Sequence, residues 1–339
     1  MTLAFLLVVF AVSLVALVKG ADWLLLSAER IGRAIGLSPF IIGVVIVGIG
    51  TSLPELISSV FAILAGEPSI VPANAIGSNI ANILLVVGAS AVIARRLTVT
   101  KSLIDLDLPL IAITTALFVG VAYDGLVTQR EAILLALAFL VYIIYTLRHE
   151  VDEETTGQGG GVLPAGARFV REDLSRVADA EAPAAQQAGP RLRLSDFVLL
   201  LVGIVGLAGG AKYLIDSVIG IAELLALAPG AVALVAVAIG TSLPELLVSA
   251  KAALSGKSEV ALGNIFGSNV FNLLLVVGIP GLFTSLPLDE ATRTIGVPVM
   301  LAATLLFVIS GISRRIHIWE GSLYLVVYLF FVGKLFGVL

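Results

Sequence analysis

Long apolar runs, separated by short polar connections, follow one another along almost the whole chain. A helix that crosses a bilayer needs about 20 apolar residues, and ten runs approach or exceed that length. We predict an all-α membrane protein with spans at about 3–25, 38–65, 70–93, 106–122, 130–147, 196–219, 228–254, 259–283, 294–312 and 318–337. The first run has neither a charged region before it nor a small-residue cleavage site, so we predict a transmembrane helix there rather than a signal peptide.

A polar stretch at 148–195 separates the spans into two groups of five. It holds an acidic run at 149–154 and glycines at 159–161, followed by sequence rich in alanine, proline and glutamine. This composition favours a solvated, flexible loop, and the acidic run lacks the ligand spacing of an EF-hand calcium sensor. We therefore predict a five-helix unit at 1–147, a flexible cytoplasmic loop at 148–195 and a second five-helix unit at 196–339.

The two groups of spans contain the same motifs. Ile49–Leu56 reads Ile-Gly-Thr-Ser-Leu-Pro-Glu-Leu and recurs unchanged 190 residues later, at Ile239–Leu246. Asn74–Gly88 recurs at the same offset as Asn264–Gly278, with ten of fifteen positions identical. Five spans reverse the starting side, so the second copy of a five-span repeat must insert upside down. The sequence thus predicts two inverted-topology five-helix repeats, a common plan of secondary transporters.

The orientation of the spans follows from the basic residues in their connections. Most of the 20 lysines and arginines fall on one side of the membrane, including Arg30 and Arg33 in the first connection and Arg95 in the third. Because basic connections stay on the cytoplasmic side, we predict that both termini lie outside and the 148–195 loop inside.

Each repeat carries one glutamate near the middle of an apolar span, Glu55 in the second span and Glu245 in the seventh. A charged carboxylate at this depth costs about 3 kcal/mol even on lenient insertion scales, so it indicates function. A structural glutamate bonded between helices is the alternative, but recurrence inside one polar octapeptide favours a site. Pro54 and Pro244 each remove a helical hydrogen bond, and we expect the helix to unwind locally near Gly50.

Oxygen-bearing side chains accompany the two glutamates. Those on spans three and eight are four residues apart and share a helix face. With the two carboxylates they form an all-oxygen set of formal charge −2, which suits calcium and its six to eight oxygen ligands. One divalent or several monovalent cations balance that charge, so mutually exclusive occupancy is a physical route to antiport. The set comprises Thr51, Ser52, Ser78, Asn82, Thr241, Ser242, Ser268 and Asn272.

The composition narrows the function further. The chain is 59% hydrophobic and 13% charged, whereas soluble domains average about 45–50% and about 25%. There is no cysteine, histidine occurs twice, and a net charge of −4 gives no basic surface for nucleic acid. No nucleophile and base stand beside the glutamates. We therefore predict that the chain is not an enzyme, needs no cofactor and has no obligate protein partner, only ions and the lipid bilayer.

The duplicated motifs, Gly-Thr-Ser-Leu-Pro-Glu at 50–55 and 240–245 and Gly-Ser-Asn-x-x-Asn at 77–82 and 267–272, resemble the alpha-repeats of the sodium/calcium exchanger family. The likeness is to the prokaryotic type within the calcium/cation antiporter superfamily, and it covers both halves of the chain outside the central loop. It implies ten helices with the four ion-binding ones packed at the centre.

The resemblance also implies roles for single residues. Glu55 and Glu245 would coordinate calcium directly and share in sodium binding, and Gly48 and Ala238 would offer backbone carbonyls. Several family members have aspartate at the position of Asn272, so this chain has one titratable group fewer at the centre. Hydroxyl or carbonyl oxygens would come from Thr51, Ser52, Ser78, Thr241, Ser242 and Ser268.

We therefore expect a secondary antiporter that exchanges sodium for calcium by alternating access at a midplane site in the cytoplasmic (inner) membrane. A calcium/proton antiporter is the nearest alternative, because two glutamates can also carry protons and the superfamily contains such proteins. The hydroxyl set resembles the sodium-binding members instead. A cation channel is a more remote alternative, because an inverted repeat with interrupted helices suits alternating access better than an open pore.

Overall fold

The computed structural model describes residues 2–64, 66–99, 107–156, 192–224 and 242–335. Ten helices and four short strands lie within these ranges. The helices are α1 (Leu3–Ala34), α2 (Pro39–Leu64), α3 (Ile70–Ala94), α4 (Leu108–Val121), α5 (Gln129–Thr156), α6 (Leu194–Leu224), α7 (Leu243–Leu254), α8 (Ser258–Gly281), α9 (Thr292–Ile312) and α10 (Ile318–Leu335). The strands are β1 (Arg96–Thr98), β2 (Leu126–Val127), β3 (Leu286–Pro287) and β4 (Arg315–His317).

The helices follow the apolar pattern of the sequence. Seven helices of the described ranges have the length and composition to cross a membrane: α1, α2, α3, α5, α6, α8 and α9. Helix α4 is shorter but also apolar. The fold is that of an all-α membrane protein. The first part of the predicted seventh span, before Ser242, lies outside the described residues.

Helices α1, α5 and α6 run further than predicted, and α6 reaches Leu224 instead of 219. Arg30 and Arg33, expected in the first connection, lie in the last turns of α1. Gly36 ends this helix with φ +81°, and the N–H of Leu37 reaches the carbonyl of Gly32 at 2.8 Å. Basic side chains suit this position because they complement the negative end of the helix dipole. The fifth span was predicted to end at 147, but α5 continues into the predicted loop.

The repeat extends to the helix ends. Gly66 and Gly256 are 190 residues apart, and they follow α2 and α7 with φ of +83° and +74°. In each case the next residue donates its N–H to a carbonyl five residues back, on Ala62 or Ala252, at 2.9 Å. Glycine adopts this left-handed conformation without a steric penalty, so both copies stop their helix in the same way.

Two antiparallel ribbons join the repeats. β1 pairs with β4, placing Leu97 opposite Ile316, and β2 pairs with β3, placing Leu126 opposite Pro287. Allowing for the offset of 190, β1 is equivalent to β3 and β2 to β4, so exchanging the repeats also exchanges the ribbons. The first ribbon joins connections predicted inside, and the second joins connections predicted outside. This pairing agrees with spans of alternating direction and an inverted second repeat.

Burial separates inner from outer helices. In the most apolar stretch of α8, 94% of the residues are buried, whereas the corresponding share is 22% in α1 and in α5. The outer helices expose large apolar side chains such as Val12, Val205 and Ile309, which suits contact with lipid. Helices α2, α3, α7 and α8 form the interior around which the others pack.

Glycines bring the inner helices into backbone contact. A Cβ added to Gly267 of α8 would lie 2.3 Å from the carbonyl oxygen of Val44, and one on Gly263 would lie 2.4 Å from that of Phe40. Gly20 of α1 approaches α6 in the same manner, since a Cβ added to it would lie 2.8 Å from the backbone nitrogen of Leu207. Small residues permit such close crossings where no hydrophobic force drives helices together.

We expect Gly267→Ala to lower the thermal unfolding midpoint in detergent, because the added methyl group collides with the α2 backbone. Overpacking of this kind typically costs about 1–3 kcal/mol. Gly120→Ala in α4 is the matched control, since its Cβ meets nothing within 4 Å among the described atoms. Equal midpoints for the two variants would contradict this account of the α2–α8 crossing.

Candidate cation site

The two glutamates lie on inner helices and are shielded from solvent. Glu55 follows Pro54 within α2, and Glu245 follows Pro244 in the first turn of α7; their exposed fractions are 2% and 1%. No group of three or more histidine, cysteine, aspartate or glutamate side chains occurs within the described ranges. Besides Glu55 and Glu245, the ligands predicted from the sequence are neutral oxygens.

The helix that carries Glu55 is wound differently from the expectation. α2 is continuous through Pro54 and not unwound near Gly50, and wider π-helical turns at Ile42–Gly48 come just before this part of the helix. The carbonyl oxygen of Gly48, at the end of these turns, accepts a hydrogen bond from the hydroxyl of Ser268 at 3.2 Å and lies 3.3 Å from the hydroxyl oxygen of Thr51. The carbonyl of Gly48 thus has a side-chain partner without a break in the helix.

Side chains of the first repeat contact those of the second. The hydroxyl of Ser52 donates to Oε1 of Glu245 at 3.1 Å, and the hydroxyls of Thr51 and Ser268 lie 3.4 Å apart. Together with the carbonyl of Gly48, these residues form one cluster drawn from α2, α7 and α8. Five of the twelve sequence-predicted site residues thus meet directly.

The other described site residues are buried with unsatisfied polar atoms. Both carboxylate oxygens of Glu55, and Oε2 of Glu245, have no hydrogen-bond partner within the described part of the chain. Buried polar groups normally have partners, and a bound cation is a suitable one for oxygens. The same holds for the side-chain polar atoms of Ser78, Asn82, Ser242 and Asn272.

Two π-helical segments begin at equivalent asparagines. Asn82 starts the π segment of α3 and Asn272 that of α8. The segment after Asn272 packs on the part of α2 that carries Glu55, and the segment after Asn82 packs on α7, which carries Glu245. π turns are rare and are frequent at functional sites. No hydrogen bond joins Ser78, Asn82 or Asn272 to the cluster in the described ranges, and Thr241 and Ala238 lie outside the described residues.

Four further polar residues, buried or half-buried, contact the site and are not among the twelve predicted ones. Asn264 donates to Ser249 at 2.7 Å and to the carbonyl of Glu245 at 3.5 Å, and it accepts a bond from Thr51 at 3.1 Å. The equivalent Asn74 reaches Ser59 at 3.4 Å. The internal repeat could have identified them, because Asn74 and Asn264, like Ser59 and Ser249, are 190 residues apart.

Comparisons with known proteins agree on one family. A family model described as "Sodium/calcium exchanger protein" matches residues 5–148 and 195–337. The chain is 32% identical to sodium/calcium exchanger MaX1 of Methanosarcina acetivorans, covering 97% of each chain. It is 31% identical to inner membrane protein YrbG of Escherichia coli, covering 87% of this chain and 85% of that one. It also superimposes on a solved structure of the sodium-calcium exchanger NCX_Mj with TM-score 0.78 and 28% identity, covering 97% and 98%.

We expect Glu55→Gln and Glu245→Gln each to abolish most of the rise in thermal unfolding midpoint that calcium causes. A site with one charge no longer balances a divalent ion, and a ligand stabilises only the state that it binds. Without calcium the variants should unfold at or above the wild-type midpoint, because each loses a buried charge.

The exposed Glu67→Gln is the matched control for these variants and should respond to calcium as the wild type does. An undiminished calcium response in Glu245→Gln would sink the assignment of this carboxylate to the site.

Proposed function

This chain belongs to the sodium/calcium exchanger family, and from that premise we propose that it is a secondary antiporter exchanging sodium for calcium across the membrane. Membership supports cation exchange in general. The observation that supports this exchange at a defined place is the buried pair Glu55 and Glu245, one carboxylate from each repeat, with the hydroxyl of Ser52 from the first repeat bonded to Glu245 of the second.

The charge of the pair explains why two ions compete for it. Two ionised carboxylates that are removed from water need positive charge beside them, because desolvation costs roughly several kcal/mol per ion. A single calcium ion, or more than one sodium ion, brings the same compensation. Occupancy by one kind of ion therefore excludes the other, and the downhill movement of sodium drives calcium the opposite way.

The proposed ligands are of two kinds, charged carboxylates and neutral oxygens. Glu55 and Glu245 supply the formal charge and bind calcium directly. Neutral oxygens complete the coordination, and all of them are hard ligands of the kind that calcium and sodium prefer to softer nitrogen or sulfur. These neutral ligands are Gly48, Thr51, Ser52, Ser78, Asn82, Ser242, Ser268 and Asn272, with Ala238 and Thr241 by equivalence to Gly48 and Thr51.

Alternating access follows from the inverted repeats. If the repeats adopt different conformations, one mouth is open; exchanging the two conformations opens the other mouth around the same midplane site. The four inner helices then hold the ions, while the outer helices complete each unit. The proposed units are 1–147 and 196–339. Of the connection predicted between them, the residues as far as Thr156 continue α5, and residues 157–191 lie outside the described ranges.

The proposed location is the cytoplasmic (inner) membrane, with both termini outside and the central loop inside. Support comes from the basic connections and from the printed name of the Escherichia coli relative. Two ion pairs join groups that this topology places on one side, Glu29 with Lys257 and Arg30 with Asp196. Ions and the bilayer are the proposed partners.

The test is uptake of calcium-45 into proteoliposomes loaded with sodium, compared with matched vesicles loaded with potassium and with vesicles under a proton gradient. We expect uptake to require the outward sodium gradient and to collapse when an ionophore dissipates it. Vesicles containing Glu245→Gln should take up calcium at the rate of protein-free vesicles.

Uptake driven by the proton gradient with sodium irrelevant would replace this proposal with the calcium/proton alternative. Passive calcium flux that follows voltage without any counter-ion would indicate a channel and would refute antiport altogether.

A further inference from the structure

Asn264 joins three helices at the candidate site. It is fully buried on α8, four residues before Ser268 and therefore on the same helix face. Its amide nitrogen donates to Ser249 and to the carbonyl of Glu245 on α7, and its amide oxygen accepts from Thr51 on α2. No ligand role was assigned to it by its repeat motif.

The neighbours of Asn264 fix the direction of its amide. The hydroxyl hydrogen of Ser249 points to the carbonyl of Ala261 at 3.5 Å, so the oxygen of Ser249 is an acceptor for the asparagine NH₂ group. The amide oxygen therefore faces the other way, towards Thr51. A hydroxyl has one hydrogen to donate, and that of Thr51 has its shorter contact with Asn264 at 3.1 Å rather than with Gly48 at 3.3 Å.

We propose that Asn264 is a positioning residue of the cation site, which takes the hydroxyl hydrogen of Thr51 and so keeps the oxygens of Thr51 and Gly48 available to a hard cation. The inference rests on the proposed exchange function. Without the amide oxygen, the hydrogen of Thr51 turns to the carbonyl of Gly48 and occupies a lone pair that the cation uses.

The test is a double-mutant cycle between Asn264→Ala and Thr51→Val, read as the calcium and sodium dissociation constants of the full chain from isothermal titration calorimetry. Each single variant should weaken affinity about tenfold. The double variant should be no weaker than the worse single variant, because Asn264 acts through Thr51.

Asn264→Asp is the conservative variant, since it keeps an oxygen towards Thr51 and should recover most of the lost affinity. Additive effects in the cycle, or an aspartate variant as weak as the alanine one, would overturn the positioning role. Because the readout is ion binding, the result is separate from the transport test: wild-type protein without sodium-driven calcium uptake would refute the exchange function while the cycle still decides the role of Asn264.

A second asparagine pair breaks the symmetry of the repeats. Asn79 and Asn269 are equivalent positions, both buried, on α3 and α8. Asn79 donates across the interface to the carbonyl of Asn269 at 3.0 Å, whereas Asn269 donates within its own helix to the carbonyl of Ile265 at 2.8 Å. The two-fold relation would map these bonds onto a different pair, from Asn269 to the carbonyl of Asn79 and from Asn79 to that of Ala75.

We infer that the two asparagines exchange roles when the transporter changes sides. Alternating access exchanges the conformations of the repeats, and the two hydrogen-bond patterns are related by that same exchange. Asn79 then stabilises the state described here, and Asn269 stabilises the state that faces the opposite side. This inference also presupposes the proposed alternating access.

The absence of cysteine makes the test direct. Ser69 lies just before α3 and Ser258 at the start of α8, in connections that the proposed topology places on opposite sides of the membrane. Single Ser69→Cys and Ser258→Cys variants therefore report, through their maleimide labelling rates, on how accessible each side is. Asn79→Ala should raise labelling at one mouth and lower it at the other by several-fold, and Asn269→Ala should shift both rates in the reverse sense. Parallel shifts in the two variants, or faster labelling at both mouths, would refute the exchange of roles, whether or not calcium uptake requires sodium.

Discussion

The need to compensate two buried carboxylates is the constraint on which the rest of this structure depends. Glu55 and Glu245 are almost entirely removed from solvent, and each lies on an inner helix that other helices cover. An ionised carboxylate in this position is unfavourable unless opposite charge and hydrogen-bond donors reach it. The surrounding hydroxyls and amides are therefore explained by the same need, since they are the hydrogen-bond donors within reach of the buried carboxylates.

Close helix packing is what allows those neutral groups to reach the carboxylates. Ser52 contacts Glu245 because α2 and the second repeat approach until their backbones touch at Gly263 and Gly267. A Cβ at either glycine would lie only 2.3–2.4 Å from a carbonyl oxygen of α2, so the two helices would have to move apart. The glycines and the oxygen ligands thus belong to one arrangement. The glycines allow the helices to approach closely, and this close approach brings the oxygen ligands together.

Much of this arrangement could be predicted from the sequence, because the relevant signals are local. Apolar run length locates the helices, and the repeated octapeptide identifies both the inverted halves and the glutamates. The winding of α2 was not predictable in this way: the π turns at Ile42–Gly48 leave no local signal in the apolar pattern, and the hydroxyl that bonds the carbonyl of Gly48 comes from Ser268, 220 residues away. The asymmetry between Asn79 and Asn269 was also beyond the sequence, because identical residues in equivalent positions differ only in conformation.

The two ribbons have a consequence for how the polypeptide is made. β1 lies in the first third of the chain, but its partner β4 lies close to the end of it, so the backbone groups of β1 remain unpaired during most of synthesis. An unpaired strand edge is open to association with other chains. Keeping β1 to three residues limits that hazard during insertion. The ribbon therefore forms late, only after the ninth helix has entered the membrane. Its formation then joins the two halves of the chain.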